Sequence, residues 1–200
     1  HGVNGGSGSQ PWTAWNGTSD LAADGHYYLA DNVTLTETIQ VGGDVHLCLN
    51  GKTLASTADY AVEVTKDHAL TICDCGEGGS IERTHHESDS NGCAVLVRGD
   101  FTLYGGSLEN HGSKGYGIFV TAPDGGRSSA TIEDGSVSSD VNAIQVGSAS
   151  DVTLRGGQVS GKTSGVVLAN NGISFTMTGG SVTAEKERGI TTNNYDITLS

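Results

Sequence analysis

Two prolines among 200 residues, with 31 glycines in no strict three-residue period, exclude a collagen-like chain and argue against disorder. Cations are scarce too: 10 Lys plus Arg stand against 23 Asp plus Glu, a net charge of −13. Such a surface repels phosphate backbones and anionic headgroups, which disfavours nucleic acid and membrane surfaces as partners. No apolar run approaches the roughly 20 residues of a bilayer-spanning helix, so membrane insertion is not expected. No secretory leader begins at His1, as expected of a mature chain or of a domain taken from a larger one. There are four cysteines, an even number in a Gly/Ser/Thr/Asn-rich chain, which fits a secreted or cell-surface protein.

What the chain does contain is a repeat. It reads Asp/Asn-x-Thr-Leu-x-Gly-Gly-x-Val, then a polar turn, then Gly/Ala-Ile/Val-x-Val. Leu154, Met177 and Leu199 fill one column at intervals of 23 and 22 residues, and Leu47, Ile72, Leu103 and Ile132 fill it upstream with irregular inserts. A second column runs Leu54, Ile81, Leu108, Val137, Val159, Val182, and a third runs from Ile39/Val41 to Ile190/Thr192. Three short apolar alternations per repeat, each closed by Gly, Asn or Asp, predict an all-β, single-stranded parallel β-helix with three short strands per coil and about seven to eight coils. The first strand of each coil should point a residue outward, giving a column of Thr34, His46, Thr71, Thr102, Thr131, Thr153, Thr176 and Thr198. Pairs at 105–106, 134–135, 156–157 and 179–180 should supply the positive φ of the turn after that strand.

Residues 1–28 do not fit the repeat and are expected to cap residues 29–200, because the first coil of a solenoid leaves apolar edges and unpaired strand groups. Ser19-Asp20-Leu21-Ala22-Ala23 reads as a short helix stopped by Gly25, with Trp12, Trp15 and Leu21 as the apolar plug. The chain stops inside a first strand, from which a longer parent protein is expected.

The stretches His26-Tyr27-Tyr28-Leu29, Val33-Thr34-Leu35, Leu47-Cys48-Leu49-Asn50-Gly51-Lys52-Thr53-Leu54 and Leu70-Thr71-Ile72-Cys73-Asp74-Cys75-Gly76 resemble a module of large surface proteins from gut Firmicutes. The resemblance covers about residues 26–81. It implies a right-handed β-helix of the pectate-lyase-like shape within a secreted or wall-anchored multidomain protein, and it carries over no catalytic residue.

Aligning the coils places Cys48 over Cys73, about 5 Å apart and inside the disulfide window of about 4.4–6.8 Å. That pairing leaves Cys75 for Cys93, with Cys48–Cys75 as an alternative. A zinc site from Cys73, Cys75 and Cys93 with His85 or His86 is the competing reading. It is disfavoured because Cys-x-Cys is tighter than the usual zinc spacing. No metal and no cofactor is expected.

Catalysis has little support. There is no Asp-Asp pair, the Asp residues before each first strand suit a turn, and the cations are scattered. For binding, the outward column of the third strand offers Leu96, Phe119 and Val167, an apolar patch on a flat sheet, flanked by Asn170, Asn171, Asn193 and Tyr195 on neighbouring loops. The expected function is a non-catalytic, monomeric surface module that binds a host glycoprotein, such as mucin or an immunoglobulin, or a glycan. The alternatives are a carbohydrate-active lyase or hydrolase and a structural stalk.

Overall fold

The computed structural model describes residues 11–21, 23–84, 91–123, 125–170 and 172–192 and the backbone of 197–199. Among the described residues every strand pairing is parallel, and from the second strand on consecutive strands go to three different sheets in rotation. Sheet A contains nine strands, from Thr13–Trp15 and Gly25–Leu29 through Asp44–Cys48 and Ala69–Cys73 to Ile197–Leu199. Sheet B has seven strands, from Ile39–Val41 to Ile190–Thr192, and sheet C has seven, from Val33–Leu35 to Ser181–Ala184. Parallel neighbours need a crossover, and here each crossover is the rest of one coil. The chain is a parallel β-helix with three strands per coil.

The columns stack as the alternation demands. Leu154 pairs in register with Met177 and Met177 with Leu199; Val137 sits over Leu108 and under Val159. Leu47, Ile72, Leu54, Ile81, Val95 and Ile144 are fully buried in one continuous core. Burying each such aliphatic side chain stabilises the fold by about 1.5–3 kcal/mol. The turns are as expected: Gly106, Gly135, Gly157 and Gly180 have φ between 74° and 92°.

The first coil departs from expectation. Val33–Leu35 belongs to sheet C, with Val33 beneath Leu54, and Gly25–Leu29 is the first strand. The outward column therefore begins with His26, stacked on His46 at 4.5 Å, and Thr34 is not in it. Val33-Thr34-Leu35 has the same alternation as the sheet A segments Val45-His46-Leu47 and Val152-Thr153-Leu154, so periodicity alone leaves its sheet undecided.

The cap is not a helix, and no helix occurs among the described residues. Five residues without a supporting surface give too few hydrogen bonds to offset nucleation. Instead, Thr13–Trp15 adds a strand to sheet A, and Leu21 joins the edge of sheet B through its N–H to the Gln40 carbonyl at 3.0 Å. The Asp20 and Asp24 carboxylates accept from the exposed N–H groups of Gln40 and Asp44 at 2.9 and 2.8 Å. Trp15 and Leu21 are buried as plug residues; Trp12 instead lies half-exposed, edge-on to His26.

Candidate functional sites

The third-strand face does not form the flat apolar patch expected. Leu96 is 1% exposed. Its in-register neighbours Glu63 and Phe119 flank it, and the Phe119 ring packs on Tyr116 at 5.5 Å. With strands about 4.8 Å apart, two long neighbours close over a leucine between them. Glu63 is itself tied down by Gln40 at 3.1 Å and by Arg98 at 2.8 Å. Phe119 and Val167 are half-exposed and Asn170 is exposed, whereas Asn171, Asn193 and Tyr195 lie outside the described residues.

Cys93 belongs to this same outer face. It opens the strand Cys93–Val97, in register with Tyr60 and Tyr116, and is fully buried. Burial pushes its thiol well above the usual cysteine range. It does not meet Cys75, so the expected Cys75–Cys93 pairing is replaced by a different arrangement. The reason is topological: Cys75 follows a sheet A strand, and Cys93 begins a sheet B strand.

Cys75 turns back instead onto Cys48 and Cys73. Cys48 and Cys73 close adjacent sheet A strands as in-register partners. The Sγ atoms of Cys48 and Cys75 are 2.7 Å apart, the Cys75 N–H donates to Cys48 Sγ at 3.3 Å, and all three sulfurs lie within 4.8 Å of one another. Cys48 and Cys73 are buried and Cys75 is exposed. The intervening Asp74 sets this turn. Its carboxylate accepts from the N–H groups of Gly51 and Gly79, each at 2.7 Å, and of Gly76 at 3.2 Å. A side chain at Gly76 would meet the Gly51 nitrogen at 2.6 Å, so the two turns interlock only as glycines. Hydrogen bonds from Cys73, and then Cys75, outweigh burial and lower the Cys48 thiol to about 6; the same contact with Cys48 raises Cys73. His85 and His86, the expected histidines of the zinc alternative, lie outside the described residues.

Two further sites were not expected. Arg83, one of the scattered cations, is 1% exposed. It ends a sheet C strand in the inward corner column that runs Ser56, Arg83, Asn110, Ser139. Its Nε donates to the Ala58 carbonyl at 3.2 Å and its Nη1 to Asn110 Oδ1 at 3.1 Å, and Asn110 Nδ2 donates to Ser139 at 3.2 Å. Gly92 and Gly112 make room for the guanidinium: a Cβ at either would lie 2.3 Å from it.

The second is a polar groove of about 270 Å³ beside the end of sheet C, spanning four coils. Its floor carries the outward residues Ser138, Ser160 and Thr183, and its wall carries His111, Asp140, Lys162 and Glu185. Lys162 Nζ meets Asp140 Oδ1 at 2.7 Å, a contact that raises the lysine's pKa. This site had a signal in the sequence. Each wall residue stands three positions after a core residue of the second column, Leu108, Val137, Val159 and Val182. On the surface, Arg155 pairs with Glu133 at 2.8 Å and Arg127 with Asp151. Compared with protein-family models, with curated proteins and with solved structures, the chain matches none.

Proposed function

We propose that the protein is a non-catalytic binding module that holds an extended glycan in the groove beside sheet C. The groove carries this reading: hydroxyls and alternating charges repeat coil by coil, about 4.8 Å apart, which suits a ligand that itself repeats. Ser160, Thr183 and Glu185 are exposed and offer donors and acceptors without an apolar anchor. Asp140 already holds Lys162, which orients both groups for hydrogen bonding. A glycan fits better than a protein surface because Leu96, the would-be hydrophobic anchor, is buried. The same reading places the module outside the cell, on a glycoprotein-facing surface, as the polar acidic composition suggests.

Glycan-array binding followed by calorimetry tests this. Filling the groove with Ser160→Trp should abolish binding, while Phe119→Asp on the opposite sheet should leave it intact. Binding lost with Phe119→Asp and kept with Ser160→Trp would move the site to sheet B. Products released from acidic polysaccharides would instead establish an enzyme.

A further inference from the structure

We propose that Cys48, Cys73 and Cys75 form a binding site for one thiophilic cation, held by three sulfur ligands with a further coordination position open to solvent. The site is independent of the groove and stands whether or not the groove binds glycan. Thiolate–zinc bonds of about 2.3 Å keep sulfurs around one ion within about 4.6 Å of each other. The three sulfurs here lie within 4.8 Å of one another, with Cys48 and Cys75 at 2.7 Å. A tetrahedral ion spaces its sulfurs about 3.8 Å apart, so the exposed Cys75 side chain has to swing out by about 1 Å to admit one. Both elements that carry them are held in place. Strand register fixes Cys48 beside Cys73. The Asp74 carboxylate, occupied by three backbone N–H groups, fixes the turn that brings Cys75 back. Asp74 is therefore part of the frame and is not a ligand.

The chemistry selects the ion. A donor set of sulfur alone favours Zn(II), Cd(II) or Cu(I) and gives Ca(II) and Mg(II) nothing they prefer. The thiolate is the ligating form, so metal uptake releases protons and tightens as pH rises. Cys75 is exposed, which supplies an entry path and leaves one side of the ion to water. Buried Cys48 and Cys73 close the other side. A disulfide between Cys48 and Cys75 would use two sulfurs and leave Cys73 without a role, whereas one ion uses all three.

The full chain, reduced with a phosphine and exchanged into anaerobic buffer, should be titrated with Cd(II), with Cu(I) and with Ca(II). Thiolate-to-metal charge-transfer absorption should saturate at one Cd(II) or one Cu(I) per chain, and Ca(II) should give no change. Cys75→Ser alters an exposed residue and should keep the β-sheet circular dichroism while weakening Cd(II) binding by more than about tenfold. Bound Cd(II) should also slow alkylation of Cys75 in the unmutated chain. Cadmium absorption unchanged in Cys75→Ser overturns the proposal, as does the absence of saturation in the fully reduced chain. If air is then admitted, with oxygen as electron acceptor, formation of a Cys48–Cys75 disulfide in preference to cadmium retention, seen as a loss of two hydrogens by mass, overturns it too.

Discussion

Coils before Val97 and coils after Ile132 share three apolar columns but are held together by different means. The early coils are irregular and dense with specific polar contacts: the Asp74 turn, the cysteine cluster and the buried Arg83–Asn110 pair. The later coils repeat at 22–23 residues and turn on glycines. Their charged groups pair on the surface, as in Arg155–Glu133 and Lys162–Asp140, where solvent screens each contact and leaves it little weight. Core burial separates them only at the end of the chain. Val137, Leu154 and Val159 are as fully buried as Leu54 and Ile81, whereas Met177, Val182 and Ile190 in the last coils are only partly so. Regularity of repeat is thus not a measure of tightness. Each coil draws its stability from its own side chains and its two neighbours, so an irregular stretch with good contacts can exceed a regular one.

The most forceful way to break this comparison is to cut a core residue in each half. Ile81→Ala should destabilise the protein by about 2–5 kcal/mol, because its site is closed on all sides. Val182→Ala, at a half-exposed position in the same column, should cost below about 1 kcal/mol. Denaturant unfolding read together with hydrogen exchange checks both, and equal costs would show the two halves to be equally tight.

Arg83 comes next. Arg83→Met removes the side-chain donor of the Ala58 carbonyl and leaves Asn110 Oδ1 with the Gly112 N–H alone in a buried corner, at a cost of about 1–3 kcal/mol. Arg83→Lys should recover little of it, since one ammonium cannot reproduce the guanidinium fork. Full recovery would reduce the corner to a simple need for charge. Thermal melts of the two variants distinguish these outcomes.

The smallest effect is a pH dependence confined to the early coils. Burial lowers the His46 pKa from the usual 6.5, helped by stacked His26 and opposed by Asp44. The folded state therefore disfavours the protonated ring. This stability is complete above the unfolded value of 6.5 and is lost as pH falls through the lower folded value. Amide protection near His46 should drop below that pH, protection around Val159 should not follow it, and His46→Gln should flatten the response.

The three core columns were legible because they depend on local rules. Two-residue alternation decides which side chains face in, and positive φ requires glycine at positions such as Gly135 and Gly157. The coils from Leu47 to Thr192 could be aligned on that basis alone, including the threonines that face outward from sheet A. The groove wall was equally periodic but was overlooked, because His111, Asp140, Lys162 and Glu185 share a position and not a residue type.

The tertiary structure decided everything that depends on what lies one coil away. Leu96 sits in a column whose other members are half-exposed, and only its neighbours Glu63 and Phe119 make it interior. Arg83 sits in a column of small buried polar residues, and only Asn110 and the glycines at 92 and 112 accommodate a guanidinium there. The cysteines followed the same rule. Stacking put Cys48 beside Cys73, but the carboxylate of Asp74 turned Cys75 toward them and away from Cys93. The amphipathic period of a strand is a property of its own backbone, whereas burial on its outer face and the meeting of side chains across turns are set by the size and hydrogen bonds of residues some 20 or more positions away.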